Sequence, residues 1–97
     1  MKNLQMELDG LRSKIDATDR DIVALLNDRA QYALKINEIK QELGLPVYDG
    51  AREKKVLDLI KNANKGIIPT ESIQRIFSLI IKETRELEEK MKNDPKK

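Results

Sequence analysis

The chain has 97 residues and a mass of 11.2 kDa, with 19 Lys and Arg against 17 Asp and Glu, and its formal net charge is +2. The absence of His and Cys excludes disulfides, zinc sites built from those residues, and nucleophiles activated by an imidazole base. Four scattered glycines exclude a phosphate-binding loop, and three aromatic residues give no stacking platform, so neither a cofactor nor a nucleic acid is predicted.

The first predicted element is a very long N-terminal helix over about residues 3–43. No Gly or Pro occurs between Leu11 and Leu43, and a seam of residues recurs in alternating steps of four and three. This seam consists of Leu4, Leu8, Leu11, Ile15, Thr18, Ile22, Leu25, Arg29, Tyr32, Ile36, Ile39 and Leu43. Such a helix would be about 60 Å long, so much of its apolar face must pack on another chain. We therefore expect an intertwined homodimer.

Two shorter helices are predicted after a linker that contains Gly44 and Pro46, a pair that suits a helix end. The second helix covers about residues 49–64, and Asp49 is placed to cap it. The third covers about residues 70–92, where apolar residues again recur at three and four. No segment alternates with period two. The prediction is an all-α fold in one domain, 1–97, with a frayed C-terminal tail.

Cations interrupt the apolar seam of the first helix. Arg29 and Lys40 are eleven residues apart and therefore point within about 20° of one direction. They either pair with acids across a helical bundle or form an anion site. Arg12 is about 25 Å from Arg29 along the helix, so only an antiparallel second copy could bring the two together. Alone, Arg12 would be a surface charge.

Acidic and hydroxyl groups occur on the other two helices. Asp49, Arg52 and Glu53 gather on the first turn of the second helix, where acids are ordinary. Glu88 continues the apolar stripe of the third helix, one turn after Thr84, and it either lines a site or emerges into solvent. Together with the cations, these groups suit a small dianion and a reaction that depends on shape and electrostatics.

The combined spacing Arg-x16-Arg-x10-Lys-x8-Asp-x2-Arg-Glu, followed by Phe-x-Leu-Ile-Ile, resembles the all-helical AroQ class of chorismate mutases over roughly residues 5–90. The resemblance implies an intertwined homodimer of three-helix protomers with two active sites, each shared between subunits. The implied reaction is the rearrangement of chorismate to prephenate in phenylalanine and tyrosine biosynthesis, without a cofactor or a metal.

The resemblance also assigns roles to the cations. Arg12 of the partner subunit and Arg29 would hold the two carboxylates of chorismate. Arg52 would assist at the edge of the site. Lys40 would hydrogen-bond the ether oxygen and one carboxylate, so Lys40, Arg29 and Glu88 are the expected catalytic residues.

The remaining implied substrate contacts are acidic or hydroxylic. Glu53 would accept a hydrogen bond from the ring hydroxyl, Asp49 would shape the same region, and Thr84 stands where the family often has Ser. Glu88 stands where the family often has Gln, although some members carry Glu. A glutamate can donate to the ether oxygen only when it is protonated, whereas Gln donates at every pH.

Two alternatives remain open at the level of sequence. The first is an isochorismate-pyruvate lyase on the same fold, which Glu53 disfavours because the lyases lack that glutamate. The second is a regulatory or dimerisation domain of a larger shikimate-pathway enzyme, to which this chain would be fused or bound. No run of 18 apolar residues or secretory signal occurs, so we expect a cytoplasmic protein without membrane contact.

Overall fold

The computed structural model describes residues 3–92, with only the backbone of Lys92. It contains three helices, α1 (Leu4–Leu43), α2 (Gly50–Ala63) and α3 (Thr70–Lys92), and no strand within the described part of the chain. The predicted all-α fold with one very long N-terminal helix is confirmed. The predicted fraying of the C-terminal tail concerns residues 92–97, of which 93–97 lie outside the described residues.

Helix α1 begins at an asparagine cap and ends at a glycine cap. Asn3 Oδ1 accepts a hydrogen bond from the Met6 N–H at 3.1 Å. At the other end Gly44 has a φ of +72°. The Leu45 N–H donates to the Lys40 carbonyl at 2.7 Å, and the Gly44 N–H donates to the Gln41 carbonyl at 3.2 Å. This pair of bonds is a Schellman motif, and the predicted stop at Gly44 is confirmed.

The start of α2 is fixed by the predicted cap. Asp49 has extended backbone angles, and its Oδ1 accepts a hydrogen bond from the Arg52 N–H at 3.0 Å. At the far end of α2, the Asn64 N–H donates to the Ile60 carbonyl at 3.0 Å, and Asn64 Nδ2 donates to the Ile68 carbonyl at 2.8 Å. Asn64 therefore closes α2 and shapes the turn towards α3.

The described residues form two compact units, of which the first ends at Tyr32 and the second begins at Ala33. The first is the N-terminal part of α1, where apolar side chains such as Leu11 and Leu25 are 58% and 65% exposed. In the second unit α2 packs against α3, and Gln74 Nε2 donates to the Leu57 carbonyl at 3.4 Å. The expected packing of the α1 seam on another chain stays a prediction.

Candidate active site

Lys40 is held by the linker that follows α1. Its half-buried side chain donates from Nζ to the carbonyl of Val47 at 3.1 Å. Val47 is the buried hydrophobic residue of the described chain, and the Lys40 carbonyl accepts the Schellman bond from Leu45. Side chain and backbone of Lys40 are thus tied to one short segment. The bond to Val47 uses one of the three ammonium donors, which leaves two for a ligand.

The first turn of α2 carries three of the predicted site residues. The Asp49 carboxylate is exposed and caps the helix, while the Glu53 N–H donates to the Asp49 carbonyl at 3.0 Å. Arg52 is exposed and Glu53 is half-buried. Since Lys40 reaches Val47, two residues before Asp49, the linker brings the end of α1 close to the start of α2. Lys40 and the start of α2 are therefore near each other within one chain.

Glu53 forms an ion pair with a residue that the sequence pattern did not single out. Arg85 of α3 donates from Nη1 to Glu53 Oε2 at 2.6 Å, and the two side chains are 34% and 29% exposed. The Arg85 guanidinium carbon lies 5.3 Å from the centre of the Tyr48 ring. Only knowledge of how α2 and α3 pack could have selected Arg85 among the charged residues of α3.

The predicted α3 residues, Thr84 and Glu88, have different surroundings. Thr84 is half-buried, and its Oγ1 donates to the Ile80 carbonyl at 2.7 Å, one turn earlier. Glu88 is only 9% exposed, although the surrounding sequence is strongly charged. Its burial excludes the alternative in which this carboxyl group emerges into solvent at the end of the helix.

The two arginines predicted to hold the carboxylates both lie in the N-terminal unit. Arg12 is exposed and Arg29 is half-buried. Because α1 is continuous between them, they are about 25 Å apart along its axis. A dianion of the size of chorismate therefore cannot contact both arginines of the same chain.

Asn37 is a buried polar residue that the sequence reasoning missed. Its side chain is 3% exposed, and its Oδ1 has no hydrogen-bond partner within the part of the chain that is described. The neighbouring seam residues Ile36 and Ile39 are exposed in the single chain. Hydropathy alone assigns the isoleucines to the interior and the asparagine to the surface, so the sequence held no signal for this inversion.

The described residues contain no group of three or more acidic, His or Cys side chains placed to hold a metal ion. Among the same residues, no helix combines the length and the apolarity that crossing a membrane requires.

The described residues form an all-helical chain with charged side chains gathered where α1 ends and α2 begins. The chain matches the family model described as chorismate mutase type II over residues 11–89. It belongs to this family, which confirms the resemblance seen in the sequence.

Two relatives illustrate the range of the family. The bifunctional chorismate mutase/prephenate dehydratase of Aquifex aeolicus is 39% identical over 90 residues, which are 89% of this chain and 25% of that protein. The chorismate mutase of Methanocaldococcus jannaschii is 35% identical over 79 residues, 80% of each chain. The chain thus spans about a quarter of the Aquifex aeolicus relative and most of the Methanocaldococcus jannaschii one.

Solved structures agree with the fold. Chorismate mutase (form II) from Thermus thermophilus superimposes with a TM-score of 0.83 and 36% identity, over 86% of this chain and 94% of that one. Chorismate mutase from Helicobacter pylori in complex with prephenate gives a TM-score of 0.82 and 31% identity, over 92% and 98%.

Proposed function

We propose that the chain is a chorismate mutase, an isomerase that converts chorismate to prephenate in phenylalanine and tyrosine biosynthesis in the cytoplasm. Family membership and the likeness to the Helicobacter pylori enzyme in complex with prephenate support this function. The structural observation that most supports this function is the hydrogen bond from Lys40, a half-buried cation, to the Val47 carbonyl in the linker between α1 and α2. A fixed donor suits a reaction in which charge develops on one oxygen.

The rearrangement breaks the ether C–O bond of chorismate and forms a C–C bond within the same molecule, so no atom is lost and no external proton is required. Negative charge builds on the ether oxygen in the transition state. Lys40 donates to that oxygen, and Glu88 donates to it from its protonated form. These donors act mainly on the transition state, which is how differential binding raises kcat.

The remaining predicted residues bind and orient the substrate. Arg29 and Arg12 of the partner subunit hold the two carboxylates, and Arg52 assists at the edge of the site. Glu53 accepts a hydrogen bond from the ring hydroxyl. The rate gain from the arginine contacts to the two carboxylates comes from holding the molecule in the chair-like conformation that reacts.

Asp49 and Thr84 have supporting places in this site. Asp49 fixes the first turn of α2 by capping it, so it orients Arg52 and Glu53. Thr84 lies on α3, and the bond from its hydroxyl to the Ile80 carbonyl supports a fixed direction for this group. Substituting Asp49 is therefore expected to act through the position of the α2 residues.

The proposed assembly is a homodimer with two shared sites. Exposed apolar side chains along α1 support it, because a second copy would remove them from water. The distance of about 25 Å between Arg12 and Arg29 of one chain also supports it, because only Arg12 of the partner subunit can join Arg29 at one ligand. A complex or fusion with another shikimate-pathway enzyme is a further proposed partnership, as the name of the Aquifex aeolicus relative indicates for that protein.

The deciding experiment follows the loss of chorismate absorbance with purified protein at acidic and neutral pH. Prephenate is identified by its conversion in acid to phenylpyruvate. Rapid loss with prephenate as the product is expected. No loss at either pH from a folded dimer would overturn the proposal.

Two parallel measurements separate the alternatives. Turnover of isochorismate to pyruvate and salicylate, without turnover of chorismate, would favour the lyase. For a domain that only dimerises, Arg29→Leu would stabilise the dimer, since it replaces a cation in the apolar seam, and it would change nothing else. For the enzyme, the same variant loses activity.

A further inference from the structure

Arg85 connects α3 to both the start of α2 and the linker before it. Its Nη1 lies 2.6 Å from Glu53 Oε2, and its guanidinium carbon lies 5.3 Å from the centre of the Tyr48 ring. Glu53 and Arg85 are 32 positions apart in the sequence. The Arg85 side chain therefore holds the Glu53 carboxylate of α2 and the Tyr48 ring of the linker in place relative to α3.

The geometry leaves part of the Glu53 carboxylate available. Arg85 bonds to Oε2, and a carboxylate has a second oxygen with its own lone pairs. A guanidinium is rigid and planar, so a bond to it restricts the rotation of the carboxylate more than a bond to an ammonium would. Arg85 thereby determines where Oε1 points.

Tyr48 in turn limits where Arg85 can lie. A face of its ring attracts the cation through the ring quadrupole. Its hydroxyl occupies the space beside Gly50, the first residue of α2. A Cβ at position 50 would lie 2.7 Å from the Tyr48 hydroxyl oxygen and 3.2 Å from Cζ. The missing side chain at Gly50 thus allows the ring to lie against α2.

We propose that Arg85 is a positioning residue that directs Oε1 of Glu53 at the ring hydroxyl of the substrate, and that Tyr48 and Gly50 set the place of Arg85. This inference rests on the proposed function, in which Glu53 accepts that hydroxyl. It makes recognition of a hydroxylated ring dependent on α3 as well as on α2.

Two physical arguments indicate which quantity Arg85 changes. The side chains of this ion pair are 34% and 29% exposed, so solvent screens it in part, and we expect Arg85→Met to change folding stability only modestly. The ring hydroxyl is not on the bonds that break or form, so its hydrogen bond contributes similarly in the ground state and in the transition state. Loss of such uniform binding raises KM and leaves kcat nearly unchanged.

The test compares steady-state kinetics of Arg85→Met with those of the wild-type enzyme. We expect KM for chorismate to rise about tenfold and kcat to stay within about twofold. Arg85→Lys keeps the charge but loses the planar fork, so it should recover only part of the affinity. The matched control is Arg75→Met on the same helix, because Arg75 is exposed and bonds locally to Ser72. The control should keep the wild-type KM.

A double-mutant cycle asks whether Arg85 acts through Glu53. If it does, adding Arg85→Met to Glu53→Gln raises KM no further than Glu53→Gln alone. Additive effects, or an unchanged KM in Arg85→Met, would overturn the inference in an enzyme that turns over chorismate. A wild-type chain without turnover would instead overturn the proposed function, so the two failures are distinguishable.

Gly50→Ala provides a second test that does not remove a charge. Alanine is at least as compatible with a helix as glycine, so the melting temperature should not fall. The new Cβ should displace the Tyr48 ring and raise KM. Adding Tyr48→Phe removes the atom at 2.7 Å and should bring KM back towards the wild-type value. A KM that Gly50→Ala leaves unchanged would contradict the role of Tyr48.

Discussion

The two units of the chain differ in how their functional candidates are held. In the unit that begins at Ala33, Lys40 is bonded to Val47, Asp49 caps α2, and Glu53 is paired with Arg85. In the unit that ends at Tyr32, one helix carries the candidates among exposed apolar side chains. The C-terminal unit orders its site residues by itself. For the candidates of the N-terminal unit, Arg12 and Arg29, we propose a function that depends on assembly with another chain.

The strongest test of the C-terminal unit is Lys40→Ala. Removing the donor to the ether oxygen should cost about 3 to 4 kcal/mol of transition-state stabilisation, comparable to losing an oxyanion-hole donor. The expected result is a fall in kcat of about a hundred- to a thousandfold. Lys35→Ala is the matched control, because Lys35 is an exposed lysine of the same helix. Near-normal turnover by a folded Lys40→Ala dimer would remove Lys40 from the mechanism.

The N-terminal unit is tested by complementation between subunits. Arg12→Ala and Arg29→Ala should each abolish most of the activity. A hybrid dimer of the two variants contains one site with both arginines and one with neither. Random exchange of equal amounts should therefore restore about a quarter of the wild-type activity.

The control for complementation is to establish heterodimers independently, with two affinity tags purified in sequence. Heterodimers without any recovered activity would show that the site is not shared. In that case the contrast between the two units would need another explanation.

Glu88 tests whether a buried group of the C-terminal unit acts as an acid. If it donates only when protonated, kcat falls as pH rises through the range where this carboxyl group loses its proton, up to about tenfold per pH unit. Glu88→Gln should flatten that limb, because an amide donates at every pH. Glu89→Gln, at an exposed neighbouring position, should keep the wild-type profile. A flat wild-type profile would contradict the role of Glu88 as a proton-dependent donor.

The smallest expected effects come from replacing two glycines, Gly10 within α1 and Gly44 just after its end. These substitutions compare how the two units contribute to the free energy of unfolding. Gly44 has a φ of +72°, so Gly44→Ala should lower the free energy of unfolding by about 1 to 2 kcal/mol. Gly10 is helical, and a Cβ there meets nothing within 4 Å in the single chain, so Gly10→Ala should raise it by up to about 1 kcal/mol. Urea unfolding measures both. A destabilising Gly10→Ala would indicate that another surface packs closely on α1 at that point.

Features set by neighbouring residues were predictable. The periodicity of three and four predicted three helices, and Gly44 and Asp49 were correctly expected to end α1 and to begin α2. The spacing shared with the family selected Lys40 and Glu53 as candidate site residues. Their roles in binding chorismate stay predictions. The sequence left open whether Glu88 is solvated, and its burial answered that question. Asn37 and Arg85 were not found, because neither departs from an ordinary helical surface pattern.

The sequence by itself determined the helices, the caps at Gly44 and Asp49, and the family of this protein. Those features depend on interactions within a few residues, where hydrogen bonding and hydropathic periodicity act directly along the chain. Only the tertiary structure decided that Arg85 pairs with Glu53 and that Asn37 is buried. Such contacts depend on how whole helices pack, and each helix carries several polar side chains that could contact a neighbouring helix. Among the charged residues of α3, the packing against α2 brings Arg85 to Glu53.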